Sequence, residues 1–160
     1  MDFHTILGTI VLGLAPISEL RGAIPFAYLR GYPLWMAILF GAGANLLVSP
    51  LVYLFLNYVH TWLYKRWKFY RFVFDHTVER ARARLGPKLR NYGMWGVLLF
   101  VGIPLPITGA WTGTLGAWVF DLDKKRSILA VSGGVILSAT IVSIILLLGK
   151  GAGSLFVKII

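Results

Sequence analysis

Glu19 and Arg21 stand two residues apart in the stretch APISELRGAIPFAYLRG, Ala15 to Gly31, whose other side chains are mostly apolar or small. Pro16 and Pro25 bracket them and are both expected to break the helix, as Pro104 and Pro106 are in a second region. Ionisable side chains in a lipid-embedded chain are costly, face a cavity or a partner, and are functional candidates by default. A carboxylate in a low-dielectric cavity takes a proton more readily than in water, which makes Glu19 a candidate proton carrier. Arg21 stays charged and offers a planar fork suited to phosphate or carboxylate. The competing reading is a structural pair that satisfies the carbonyls freed by a broken helix.

A second proline-rich break carries no charge. Tyr92 to Ile103 is an apolar run of 12 residues that meets IPLPITG, with Pro104 and Pro106, and continues from Ala110 to Phe120. Proline removes a backbone donor and clashes with the preceding turn, so each region reads as two half-helices. Ser18 follows Pro16 and Thr108 follows Pro106, where N-caps belong. Two helix N-termini meeting near the midplane would direct free N–H groups into one cavity and attract anions. Trp111 and Thr112 are candidates to line that cavity. Asn45, in GAGANLLVSP, either faces it or hydrogen-bonds a neighbouring helix. Gly41, Asn45 and Ser49, like Gly134 and Ser138, recur every four residues, a spacing that serves close helix packing within the chain or between two copies.

His4, His60 and His76 lack metal-ligand spacing, and the chain has no cysteine. Neither a metal nor another cofactor is therefore expected. No Ser-His-Asp set, P-loop or paired catalytic carboxylates can be assembled, so the sequence does not read as an enzyme.

The elements that must position these residues follow from hydropathy. Of 160 residues, 58% are hydrophobic and only 14% charged, with a mean hydropathy of +0.75. That composition predicts an integral membrane protein. Leu34 to Val59 and Ser127 to Gly149 carry no formal charge and are long enough to cross a hydrocarbon core of about 30 Å. Phe3 to Leu14, at 12 residues, covers about half of it. The N-terminus lacks the basic region and small-residue cleavage site of a signal peptide. Glutamine is absent and asparagine occurs three times, which fits a thermophilic source.

An offset of 90 residues relates the two halves: Pro16-Ile17-Ser18 falls on Pro106-Ile107-Thr108, Ala27 on Ala117, and Gly43 on Gly133. Repeats with interrupted helices at matching places point to a transporter site. The division expected is residues 1–59 as a first repeat, 60–90 as a basic amphipathic cytoplasmic segment, and 91–160 as a second repeat. The net charge of +10 comes largely from nine basic residues between Lys65 and Arg90, joined by Lys124, Lys125 and Arg126. Re-entrant hairpins would bring both groups to one face, as the positive-inside rule asks, and would make the repeats inverted. The interleaved Trp62, Trp67, Phe69 and Phe72 suit an amphipathic helix or helix pair on the inner leaflet, so the charge is not read as a nucleic-acid surface.

PISELRGAIP before one long span and GIPLPITGAWTG before another resemble the small multidrug export proteins of prokaryotes, across nearly the whole chain. That family in turn resembles the DedA superfamily, whose members have two inverted re-entrant hairpins. Several of those move phosphate-bearing lipids such as undecaprenyl phosphate. The resemblance implies the hairpin fold and matches the acidic residue of the DedA first hairpin to Glu19. The arginines usual after the second-hairpin proline have no counterpart here, and Arg21 lies in the first hairpin instead.

The sequence thus predicts an all-α integral membrane protein of two inverted repeats, each a re-entrant helical hairpin followed by a full transmembrane helix. Its expected place is the cytoplasmic membrane of a prokaryote, crossed several times. Its expected work is secondary, proton-linked transport of an anionic amphipathic substrate, a polyprenyl phosphate or phospholipid. Export of small cationic drugs and a non-transporting scaffold are the alternatives. Expected partners are membrane lipids, the substrate and a second copy of the chain.

Overall fold

The computed structural model describes residues 2–105 and 108–157, and these are helical apart from short turns. Helix α1 is Phe3–Leu14, α2 Glu19–Leu29, α3 Leu34–Leu46 and α4 Val48–Phe55; after a π-helical turn, Leu56–His60, come α5 Thr61–Arg66, α6 Lys68–Gly102, α7 Ala110–Val119 and α8 Lys124–Val157. Among the described residues two stretches are long and apolar enough to cross a membrane, Leu34–Arg66 and Lys124–Gly149. The first runs past Val59, the expected end of the span, to Arg66. Phe3–Leu14 and Gly93–Gly102 are shorter apolar helices.

Local chemistry explains the boundaries. Asp2 caps α1, its carboxylate accepting from the His4 amide at 3.3 Å and the Thr5 hydroxyl at 3.1 Å. Helix α1 stops because Pro16 disfavours helical backbone at the residue before it, and Ala15 is extended at φ −69°, ψ 135°. Pro104 does the same to Ile103, at φ −81°, ψ 116°, and ends α6. Pro106 and Ile107 lie outside the described residues. Pro50 in α4 cannot donate to Leu46, and the chain turns slightly at Leu47 between α3 and α4. Gly93, at φ 51°, ψ −125°, bends α6 and sets the 94–102 arm apart from its basic first part.

Pro25 corrects an expectation. It does not break the chain but sits inside α2. Proline withholds one hydrogen bond, here to the Arg21 carbonyl. The flanking Ala23 and Ile24 are fully buried against Gly41, and that packing holds the helix through the defect.

Helices α1 and α2 run antiparallel. Near the open end the Asp2 amide donates to the Tyr32 hydroxyl at 2.8 Å, midway Gly8 faces the Phe26 ring, and near the bend Ser18 bonds to Leu12. The end of α6 and α7 pair likewise, Gly113 lying against Val97 and Val101. Each pair ends in the same turn at positions 90 apart. Arg30, Gly31 and Tyr32 donate to Phe26, Tyr28 and Ala27; Phe120, Asp121 and Leu122 donate to Gly116, Trp118 and Ala117. Gly31 and Asp121, the left-handed residues of these turns, lie at φ 89° and 53°. Small residues then let the helices close up, as the four-residue spacing predicts within the chain: Gly41 takes Ala23, Ile24 and Gly13 against α3, and Gly134 takes Val101 against α8.

Candidate functional site where the two breaks meet

The bend at 15–18 comes together with Leu105, Thr108 and Gly109 of the second break, and Glu19 and Arg21 join them. Glu19 opens α2 with a left-handed backbone, φ 49°, and is only 5% exposed. Its carboxylate points across the break to the N-terminus of α7. There Oε2 accepts from the Ala110 amide at 3.4 Å and Oε1 from the Trp111 amide at 3.3 Å. A carboxylate at a helix N-terminus is favoured by the partial positive charge of the unpaired amides. Gly109 makes the approach feasible, because a Cβ there would overlap the Glu19 carboxylate.

Arg21 serves the carbonyl side of the same break. Its guanidinium donates to the Leu105 and Thr108 carbonyls, and to the Thr108 hydroxyl at 3.0 Å. Its Nε is buried and finds no acceptor among the described residues. The two charges therefore do not simply neutralise one another. Glu19 takes the free amides of the second break and Arg21 takes its free carbonyls.

The expected capping roles of Ser18 and Thr108 are corrected. Ser18 occupies the N-cap position of α2 in helical backbone and makes no capping bond; its hydroxyl donates to the Leu12 carbonyl at 2.6 Å. Thr108 precedes the N-cap of α7, which is Gly109. Its hydroxyl lies 2.9 Å from the Ile103 carbonyl and 2.8 Å from that of Leu105, with the Leu105 amide at 3.3 Å. Both hydroxyls satisfy carbonyls inside the bends. The amides expected to stand free at α7 are occupied by Glu19.

Asn45 and Trp111 have a related task. Helix α1 ends in the interior and must satisfy its last carbonyls. Val11 accepts from the Ala15 amide, Leu12 from Ser18, Gly13 from the Asn45 amide at 2.9 Å, and Leu14 from the Trp111 indole at 2.9 Å. Asn45, only 1% exposed, thus bonds a neighbouring helix, the second of its two expected roles.

A cavity of about 330 Å³ opens beside the charges. Pro16, Ile17 and Ser18 line one side, Thr108 and Thr112 the other, with Glu19 and Arg21 between. The Thr112 hydroxyl lies 3.4 Å from the Gly109 carbonyl. Among the described residues no group of three His, Cys, Asp or Glu side chains could hold a metal ion. Sequence reasoning missed Gly109, although the 90-residue offset sets it opposite Glu19.

No curated protein and no solved structure matches the chain. The model of one protein family, described as "Putative small multi-drug export protein", matches residues 19–141, which begin just after the first break and hold Glu19, Arg21, the second break and the whole of Leu34–Arg66. With most of its length matched from Glu19 onward, the chain belongs to that small multi-drug export family.

Proposed function

We propose that this all-helical membrane protein is a secondary transporter that moves an anionic amphipathic substrate, a polyprenyl phosphate or a phospholipid, through the region where the two breaks meet. In this reading the α1–α2 and α6–α7 pairs are re-entrant hairpins that enter from opposite faces. Three observations support it: the antiparallel pairing within each, the shared turn at 30–32 and 120–122, and the contact between their bends. The observation that carries the reading is the Glu19 carboxylate lying on the amides of α7 beside a cavity shared with Arg21.

A carboxylate is the chain's own anion, placed where a phosphate would be held. Its two bonds, at 3.3 and 3.4 Å, are long for charge-assisted hydrogen bonds, so a competing anion can displace it. Protonation removes its charge and frees the two amides. Arg21, whose Nε meets no acceptor among the described residues, then has a phosphate oxygen to bind. Proton entry and anion binding are linked because both act on the same two N–H groups.

The family description favours a second reading, drug export. There Glu19 would bind a cationic drug in its ionised form and release it on protonation. The two readings predict opposite responses to acid. Purified protein in proteoliposomes should move labelled polyprenyl phosphate faster as the pH falls from 8 to 6, Glu19→Gln should move it at a rate nearly independent of pH, and Arg21→Ala should lose about 10-fold or more, the worth of a charged hydrogen bond. Proton-driven movement of ethidium in the absence of lipid movement would replace the first reading with the second. Movement of neither substrate by folded protein would make the Glu19 and Arg21 contacts those of a scaffold.

A further inference from the structure

The end of the first long helix carries a second feature, separate from the breaks. After the π-helical turn, α5 runs to Arg66, the chain turns at Trp67 (φ −117°, ψ 111°), and α6 folds back along α5. The inner side of this helical hairpin is fully engaged. His60 lies 4.0 Å from the Phe74 ring, 3.0 Å from the Tyr70 hydroxyl, and edge-on to Trp118 of α7. The Tyr64 hydroxyl donates to Asp75 at 3.0 Å, and Arg71 donates to the Tyr64 carbonyl at 3.1 Å with its guanidinium over the Tyr64 ring. The turn is therefore held by contacts on both arms.

Its outer side is different. Trp62, Trp67 and Phe69 are 60%, 58% and 78% exposed, and Lys65, Arg66 and Lys68 are exposed between them. Three large aromatic surfaces are unfavourable in water, and the three cations interleaved with them are costly in hydrocarbon. They suit the layer where acyl chains meet headgroups, with rings below and cations at the phosphates. Position agrees with chemistry. Leu34–Arg66 spans about 50 Å as a helix, well beyond a hydrocarbon core of about 30 Å, so its last turns emerge at the headgroups. Trp118, which His60 touches, lies at the end of α7, just before the exposed Asp121 and Asp123 and the exposed cations Lys124, Lys125 and Arg126 that open α8.

We infer that the α5–α6 turn is a docking element for anionic lipid, seated in one leaflet and selecting phosphatidylglycerol-like headgroups over zwitterionic ones. Each cation close to an anionic surface favours contact about five-fold, and three on one turn make the preference strong and salt-sensitive. This inference does not depend on what the breaks transport.

Indole quenching tests it. The full-length protein is reconstituted in phosphatidylcholine bilayers containing either brominated phosphatidylglycerol or brominated phosphatidylcholine at the same fraction. Subtracting the signal of Trp62→Phe/Trp67→Phe isolates the two indoles of the turn. Brominated phosphatidylglycerol should quench them at least about two-fold more strongly, and the difference should shrink in 1 M salt. Lys65→Gln/Arg66→Gln/Lys68→Gln should abolish the difference, while Lys65→Arg/Arg66→Lys/Lys68→Arg keeps it. Equal quenching by the two lipids in the unmodified protein would overturn the inference, as would a preference that survives the glutamine substitutions.

Discussion

Glu19 holds a left-handed backbone that a side chain with a Cβ enters at a cost of about 1–3 kcal/mol. What that cost places within reach is the pair of amides at the start of α7. Gly109 is the other half of the arrangement, since any Cβ there meets the carboxylate. Gly109→Ala should therefore act through Glu19, displacing it and losing roughly 1.5–3 kcal/mol of charge-assisted hydrogen bonding. Glu19→Ala should cost a similar amount. Because both remove the same contact, the double variant should fall well short of their sum. Thermal unfolding of the three variants in detergent measures this; an unchanged midpoint for Gly109→Ala would dismiss the contact. Glu19 and Arg21 were legible as candidates because charge in an apolar run is conspicuous. Gly109 was not, because it is one of 18 glycines and its reason lies 90 residues away in the chain.

At the scale of elements, two interrupted helices create the same problem twice, unpaired backbone groups away from water, and side chains from elsewhere solve it. The last carbonyls of α1 draw on Ser18, Asn45 and Trp111, three residues spread over most of the chain. Ser18→Ala, Asn45→Leu and Trp111→Phe each remove one donor and leave one carbonyl bare. Each should lower stability by about 1–3 kcal/mol, the cost of an unsatisfied buried group. Calorimetry of the detergent-solubilised variants tests the assignment: three unshifted transitions would show that water or detergent reaches those carbonyls. The breaks themselves were readable from Pro16 and Pro104, each of which forces the preceding residue out of helical backbone. Pro25 misled for a physical reason. Whether a proline ends a helix depends on the packing around it, and the burial of Ala23 and Ile24 against Gly41 is a tertiary fact. The donor roles of Asn45 and Trp111 were hidden in the same way, since residue type shows that a partner is needed and not which one.

For the whole molecule, the decisive relation is the direction from which each helical pair reaches the common bend. Residues near the bend of the first pair, Gly13 and Ile24, touch Gly41, and its open end carries Asp2, Arg30 and Tyr32 beside the start of α3. The second pair opens at Trp118 beside His60, at the far end of the same long helix. A helix from Leu34 to His60 covers about 40 Å, so in the proposed re-entrant arrangement the two open ends would lie on opposite sides of the bilayer. In that arrangement the basic residues at 65–90 and at 124–126 would share the side with the second opening, as the positive-inside rule asks of the cytoplasm. The chain has no cysteine, so single cysteines report without background. Arg30→Cys in intact cells should react with a membrane-impermeant maleimide. Arg66→Cys and Lys125→Cys should react only after permeabilisation. A Lys125→Cys that reacts from outside while Arg66→Cys does not would mean that the region from Gly93 to Phe120 crosses fully. The proposed re-entrant hairpin of the second pair, and with it the inverted relation of the two pairs, would then fall.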